Sequence, residues 1–329
     1  MLDSILESLR VVNLPTKTDF RSITHREVAL FSGAAGWGEF APFLEYGPRE
    51  SIPWLVSAIE SACVPAPIAK HEWIRVNATL PAVNGQEKVA EILSWFPGCD
   101  TIKIKVGANL QEDLVRISHA KSARPSARIR LDVNGNWSVD QAVTALRATY
   151  ENFGEIEYVE QPCATLDELR ELKKKIGFPF LIAGDEVIRK SADPFALDLR
   201  GAVDVVMLKV APLGGIRRAR EIADHHGLPS VVSSALDSAV GISTGLRLAA
   251  SFDSQTFSAG LATGQLLAGD VAEFPLVDGR IQVAQVMPTL EALAKYEATP
   301  DRYTFWRERV MQTWDAGARD QVAREEWIA

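Results

Sequence analysis

The feature that most constrains this chain is a series of evenly spaced apolar segments, each closed by an ionisable residue. They read Thr101-Ile102-Lys103-Ile104-Lys105-Val106, Arg128-Ile129-Arg130-Leu131-Asp132-Val133, Ile156-Glu157-Tyr158-Val159-Glu160, Phe180-Leu181-Ile182-Ala183-Gly184-Asp185 and Asp204-Val205-Val206-Met207-Leu208-Lys209. From Lys105 the closing residues Asp132, Glu160, Asp185 and Lys209 follow at intervals of 27, 28, 25 and 24 positions. One strand plus one helix of a (β/α)₈ barrel takes roughly 30 residues. The order Lys, Asp, Glu, Asp, Lys therefore reads as one polar residue at the C-terminal end of each successive parallel strand. That end of such a barrel carries its catalytic groups.

The rest of the chain extends the pattern. Residues 75–80 read as a first barrel strand, 229–233 as a seventh and 256–261 as a weaker eighth. Helical spacing at 86–95, 111–123, 139–150, 166–175, 192–198, 217–225 and 240–250 separates them. Alternation of this kind implies a parallel sheet. No Gly-x-Gly-x-x-Gly follows an early strand, which argues against an open dinucleotide-binding sheet. Ahead of the barrel, 26–31 reads as a strand and 36–48 as a segment punctuated by Gly and Pro. Residues 51–63 read as a helix with Trp54, Leu55, Ala58 and Ile59 on one stripe. A small α+β domain before the barrel is the expectation. Beyond 276 the chain turns irregular. Trp306, Val310 and Trp314 then recur every fourth residue, as in an amphipathic helix laid on the outside of the protein.

Three carboxylates on neighbouring strand ends repel one another unless a cation joins them. Asp132, Glu160 and Asp185 offer only oxygen donors, which suits a hard divalent ion, Mg²⁺ or Mn²⁺, rather than zinc. Lys103 and Lys105 lie two apart on one strand, so both face the barrel mouth while Ile102, Ile104 and Val106 turn towards the helices. Adjacent positive charge and burial both lower a lysine pKa. Lys105, nearer the strand end, is the candidate base. Lys209 is expected across the barrel from it. Such a set suits removal of a proton next to a carboxylate, with the developing charge falling on the metal and the second lysine.

These motifs, together with Asp132-Val133-Asn134-Gly135-Asn136-Trp137, Glu160-Gln161-Pro162, Asp185-Glu186 and Leu208-Lys209, resemble the enolase superfamily, and its muconate-lactonising branch in particular. The resemblance runs over nearly the whole chain. It implies an α/β fold: a (β/α)₇β TIM-like barrel over residues 75–275 with an α+β capping domain over 1–74. Residues 276–329 would pack back on the capping domain. It also implies that Asp132, Glu160 and Asp185 bind the metal and that Lys105 and Lys209 are the acid/base pair. Within the branch, residues 36–46, 76–79 and 232–241 are most similar to the o-succinylbenzoate synthases of actinobacterial type. Those are dehydratases of menaquinone biosynthesis, and a small-molecule carboxylate substrate follows. An N-succinylamino-acid racemase or a muconate-type cycloisomerase built on the same machinery stays open, as does a barrel that only binds a small acid. Gly260-Leu261-Ala262-Thr263-Gly264 lacks the Asp-x-Asp of dipeptide epimerases. Val187 stands where a Ser commonly follows Asp-Glu, and little effect is expected.

Further candidates have a functional and a structural reading each. Lys103, Asn134, Ser233 and Ser234 are candidate substrate contacts. The two serines would meet a succinyl carboxylate or simply cap a loop, and Asn134 and Asn136 would touch ligand or fix loop geometry. Residues 36–46 are either a water-excluding lid or a structural turn. Arg21 or Arg26 would reach the substrate from the capping domain. None of His25, His71, His119, His225 and His226 falls at an expected strand end, which disfavours a histidine base.

The net charge of −8, with no Lys/Arg cluster, argues against nucleic acid, so attraction for an anionic substrate must be local. No apolar run approaches the roughly 18 residues of a membrane span. The first residues lack the basic and apolar regions of a secretory signal. Cys63, Cys99 and Cys163 are too scattered for a disulfide framework or a metal motif. Reduced thiols in a cytoplasmic protein are the expectation. No feature specifies an oligomeric state.

Overall fold

Three strands, β1 (Arg10–Phe20), β2 (Ile23–Gly33) and β3 (Gly36–Phe40), form an antiparallel meander after the short helix Leu2–Ser8. The computed structural model describes residues 1–20 and 23–325. Side chains alternate across a strand, and β2 uses that alternation to serve two cores. Val28 and Leu30 join the apolar layer of the barrel, while Ala29 and Phe31 face the capping helices. Residues 36–40, expected within an irregular segment, are instead paired with β2, from Gly33↔Gly36 to Ala29↔Phe40.

The helix Ile52–Cys63, with Pro53 in its first turn, is buried from Trp54 to Ala62 because it lies between the meander and the rest of the chain. Against it and β3 lies the helix Pro300–Thr313. Trp306 and Val310 are fully buried there, and the Trp306 ring meets Phe40 edge-on at 5.9 Å. Glu27 of β2 accepts hydrogen bonds from the Trp306 indole at 2.8 Å and the Arg302 guanidinium at 2.7 and 2.5 Å. The helix is amphipathic, as expected: Trp306 and Val310 enter the capping core, Arg307, Glu308 and Gln312 stay exposed on the outer face, and Trp314 is only half-buried.

A strand β4 (Trp73–Arg75) leads into seven parallel strands in chain order: β5 (Ala78–Leu80), β6 (Thr101–Lys105), β7 (Arg128–Asp132), β8 (Tyr158–Glu160), β9 (Ile182–Gly184), β10 (Val205–Lys209) and β11 (Ser230–Ser233). The expected first strand, 75–80, is thus divided. β4 pairs with β13 (Arg280–Gln282), which pairs with β12 (Leu276–Val277), in a small antiparallel sheet. The eighth position is reduced to two bridges, Val76↔Ala259 and Ser233↔Gly260, which close the barrel. A Cβ on Gly260 would lie 2.4 Å from the Ser233 hydroxyl, so the closing segment needs glycine there. Between β9 and β10 the expected helix over 192–198 is missing. The connection holds one turn, Glu186–Arg189, and a 3₁₀ turn, Pro194–Ala196. Leu199, Ala202 and Val203 bury themselves from irregular backbone instead of from a helical face. Inside the barrel, Tyr158, Ala183, Val205, Met207 and Val231 form a filled layer below the mouth. Among the described residues no helix is long and apolar enough to cross a membrane.

Candidate active site

Strand register assembles the charged residues. Lys105 pairs with Asp132 and Asp132 with Glu160, so three of the five stand level on β6, β7 and β8. Glu160 pairs with Ala183, which leaves Asp185 two residues further along, as the stagger of a closed barrel requires. Lys209 ends β10 beside Ser233. All five open onto one mouth. Lys105 Nζ lies 2.6 Å from Asp132 Oδ2 and 2.7 Å from Asn134 Oδ1. Lys209 Nζ lies 2.5 Å from Asp185 Oδ2 and 3.9 Å from Glu160 Oε1. The two lysines thus stand at opposite ends of a row of three acids. Lys103 sits within the row, 2.9 Å from Glu160 and 3.3 Å from Asp132, and its ammonium is spent on them.

Burial works against the charged form of Lys103, Lys105, Asp132, Glu160 and Asp185, and neighbouring charges outweigh it at Lys103, Asp132 and Asp185. Burial, with Lys103 adding to it, lowers Lys105 below the ordinary lysine range against the pull of Asp132. For Lys103 burial acts downwards too, but Glu160 and Asp132 outweigh it and its pKa is raised. Burial works against the charge on Asp132 as well, yet Lys105, Lys103 and Lys209 hold it below the usual carboxylate range. Asp185 overcomes the same penalty through Lys209 and Arg189 and falls to about 2. Glu160 is raised, by burial first and by Asp132 next, with Lys103 and Lys209 opposing.

The remaining candidates divide. Asn134, at φ 54°, accepts from Lys105 and donates to Glu186 Oε1 at 3.2 Å, which makes it a bridge. Asn136 only donates to the Val133 carbonyl. Ser233 and Ser234 line the pocket, but their hydroxyls donate to the Gly260 carbonyl at 3.5 and 2.8 Å, and Ser234 also meets Thr263 at 2.7 Å. Arg26 is buried against the Leu236 and Ala41 carbonyls and the Phe43 ring at the seam between cap and barrel. Arg21 lies outside the described residues. The 36–46 segment is anchored by β3, with Phe43 alone reaching the pocket. No histidine lines it.

The chain matches two families: residues 11–62 match the enolase N-terminal domain-like family and 88–288 the enolase C-terminal domain-like family. It is 47% identical over 313 residues to an o-succinylbenzoate synthase of Mycolicibacterium smegmatis, covering 94% of this chain and 96% of that one. A protein of the same name from Mycobacterium marinum is 46% identical, covering 94% of each. This chain belongs to the enolase superfamily. Its fold is shared with the muconate lactonizing enzyme of Pseudomonas putida, at TM-score 0.72 and 21% identity over 88% of this chain and 98% of that one. It is shared equally with an N-succinyl Arg/Lys racemase of Bacillus cereus, at TM-score 0.73 and 20% identity over 88% and 97%.

Enzymes of the enolase superfamily generally use a divalent metal. As the side chains stand, no three described carboxylates, thiols or imidazoles are disposed to share one ion. Each acid is drawn to an ammonium, the nearest opposite charge. The donor chemistry nonetheless fits a hard cation. Asp132 Oδ1 and Glu160 Oε1 are buried carboxylate oxygens without a hydrogen-bond partner, a costly state that a cation relieves.

Gln161, Phe20, Thr79 and Arg189 also belong to the candidate site and were not among the sequence candidates. Gln161, at φ 42°, accepts from the backbone amides of Asp185 at 3.0 Å and Val187 at 3.2 Å, and so holds the turn after β9. Because Val187 contributes its amide, its side-chain identity matters little there. Phe20, at the end of β1, brings its ring to 6.0 Å from Lys105 Nζ. Thr79 lines the pocket from β5. Arg189 donates to Asp185 Oδ1 at 3.1 Å, and its spacing of four from that acid on one helical turn was the available signal. Side chains fill the pocket to about 30 Å³. A groove of about 590 Å³ between cap and barrel adjoins it and shares Trp54, Arg189 and Pro212.

Proposed function

We propose that this protein carries out the o-succinylbenzoate synthase reaction of menaquinone biosynthesis. That reaction is the syn dehydration of 2-succinyl-6-hydroxy-2,4-cyclohexadiene-1-carboxylate to 2-succinylbenzoate. One observation carries the reading: a largely buried lysine of lowered pKa and a second lysine close the two ends of a three-carboxylate row at a barrel mouth. The relatives at 46–47% identity over 94% of the chain support the choice of substrate.

Lys105 Nζ, as the free amine, takes the proton from the ring carbon that bears the carboxylate. The C–O bond of the neighbouring hydroxyl then breaks. Lys105 returns its proton to the departing hydroxide on the same face, so water leaves and the ring becomes aromatic. Lys209 Nζ offsets the negative charge that builds in between. Asp132, Glu160 and Asp185 would hold Mg²⁺, or Mn²⁺, which supplies a counter-charge to the substrate carboxylate. Asn134 orients Lys105, and Lys103 keeps the acid row from flying apart. The free thiols of Cys63, Cys99 and Cys163 agree with a cytoplasmic setting.

The test is an assay with Mg²⁺ on the cyclohexadiene carboxylate beside N-succinyl amino acids. Dehydration is expected to dominate. Racemisation at an equal or higher rate would favour the N-succinylamino-acid racemase instead. Asp132→Asn should abolish turnover while circular dichroism is unchanged, and full activity in that variant would remove the proposed ligand set.

A further inference from the structure

Arg189 joins a side chain of the capping domain to a carboxylate of the acid row by direct hydrogen bonds. It ends the single turn Glu186–Arg189, and its side chain is 6% exposed. Three hydrogen bonds use its planar fork: Nε to Asp185 Oδ1 at 3.1 Å, Nη2 to Glu186 Oε1 at 2.6 Å and Nη1 to the Tyr46 hydroxyl at 3.0 Å. Tyr46 belongs to the cap. Its ring stands edge-on to Phe43 at 5.8 Å and to Trp54 at 6.3 Å, so its hydroxyl is aimed by aromatic packing.

From the guanidinium two short paths lead to the two lysines. Asp185 Oδ2 accepts from Lys209 at 2.5 Å. Glu186 Oε1, the oxygen that Arg189 binds, also accepts from Asn134 Nδ2 at 3.2 Å, and Asn134 Oδ1 accepts from Lys105 at 2.7 Å. Asn134 holds a left-handed backbone at φ 54°, a conformation that asparagine tolerates.

We propose that Arg189 is a positioning residue: through Tyr46 it makes the placement of Lys105 and Lys209 depend on the cap being seated on the barrel. As a statement about catalysis this rests on the function proposed above. As a statement about the two amines it does not.

Tyr46→Phe removes only the hydroxyl, and Arg189→Lys removes the fork while keeping the charge. Each variant and the wild type, with Mg²⁺ present, is acylated under limiting reagent, and the modified lysines are quantified by peptide mass spectrometry. In the wild type Lys105 and Lys209 are shielded, at 15% and 11% side-chain exposure. Both should become several-fold more reactive in both variants. Lys173, paired with Asp204 on an outer helix, should stay unchanged. In the proposed reaction kcat should fall about tenfold with KM nearly constant, the cost of one hydrogen bond to a charged group. Unchanged labelling of Lys105 and Lys209 would overturn the proposal. So would a parallel rise at Lys173, which marks general loosening. Selective labelling in a protein that shows no dehydration would uphold the coupling and remove only the assigned reaction.

Discussion

Glu39 carries a pH dependence of stability that can be worked through. It lies buried on β3 of the cap and reaches the start of the barrel helix Ala239–Ser251. Its carboxylate accepts from the Ser238 hydroxyl at 2.6 Å and the Gly241 amide at 2.9 Å. Burial, and then the neighbouring Asp237, carry its pKa up to about 8, against the pull of Ser238, Arg26 and Gly241. The folded protein therefore keeps a proton there that the unfolded chain gives up near pH 4.5. Stability from this group is fully present below that pH and is lost as the pH rises through 8. The slope approaches about 1.4 kcal/mol per pH unit, or about 2 kcal/mol between pH 6 and 8. For a chain of 329 residues that corresponds to a fall of about 3 °C in Tm. Glu39→Gln keeps the shape and removes the titration. Differential scanning calorimetry from pH 6 to 8 should show the wild-type Tm falling and the variant's staying flatter by that margin. Parallel curves for the two proteins would refute the reasoning.

Two further substitutions test the scaffold and the turn after β9. Trp306→Ala empties the capping core and removes the indole hydrogen bond to Glu27, and should cost about 3–5 kcal/mol in urea denaturation. A loss below about 1 kcal/mol would mean that the terminal helix is not integral to the cap. Val187→Ser should leave kcat within about twofold, since the contribution of that position is its amide. A larger change would show that the side chain itself acts.

The charged motif was legible because strand alternation and the length of a βα unit are local properties. They place Lys103 and Lys105 on one face and space Asp132, Glu160, Asp185 and Lys209 without reference to any distant residue. The capping strand 26–31 and the stripe of Trp54, Leu55, Ala58 and Ile59 were legible for the same reason. What the local pattern does not contain is pairing. Arg75 reads as the start of a barrel strand until its pairing with β13 claims it for β4, and 36–40 reads as punctuation until β2 pairs with it. The run over 192–198 has helical composition, yet Pro194 and the burial of Leu199 and Val203 leave only a short turn.

The same division runs through the site. Sequence by itself determined which strand ends are charged and in what order, because each side chain's direction is set by its own backbone. Tertiary structure alone decided the stagger that puts Asp185 beyond the level of Glu160 and the division of three acids between two lysines. It also decided the reach of Phe20 and Tyr46 from the cap to the barrel mouth. Those depend on residues up to 143 positions apart, as for Tyr46 and Arg189. Their energies come from charges and rings that meet only once the barrel has closed and the cap has covered it.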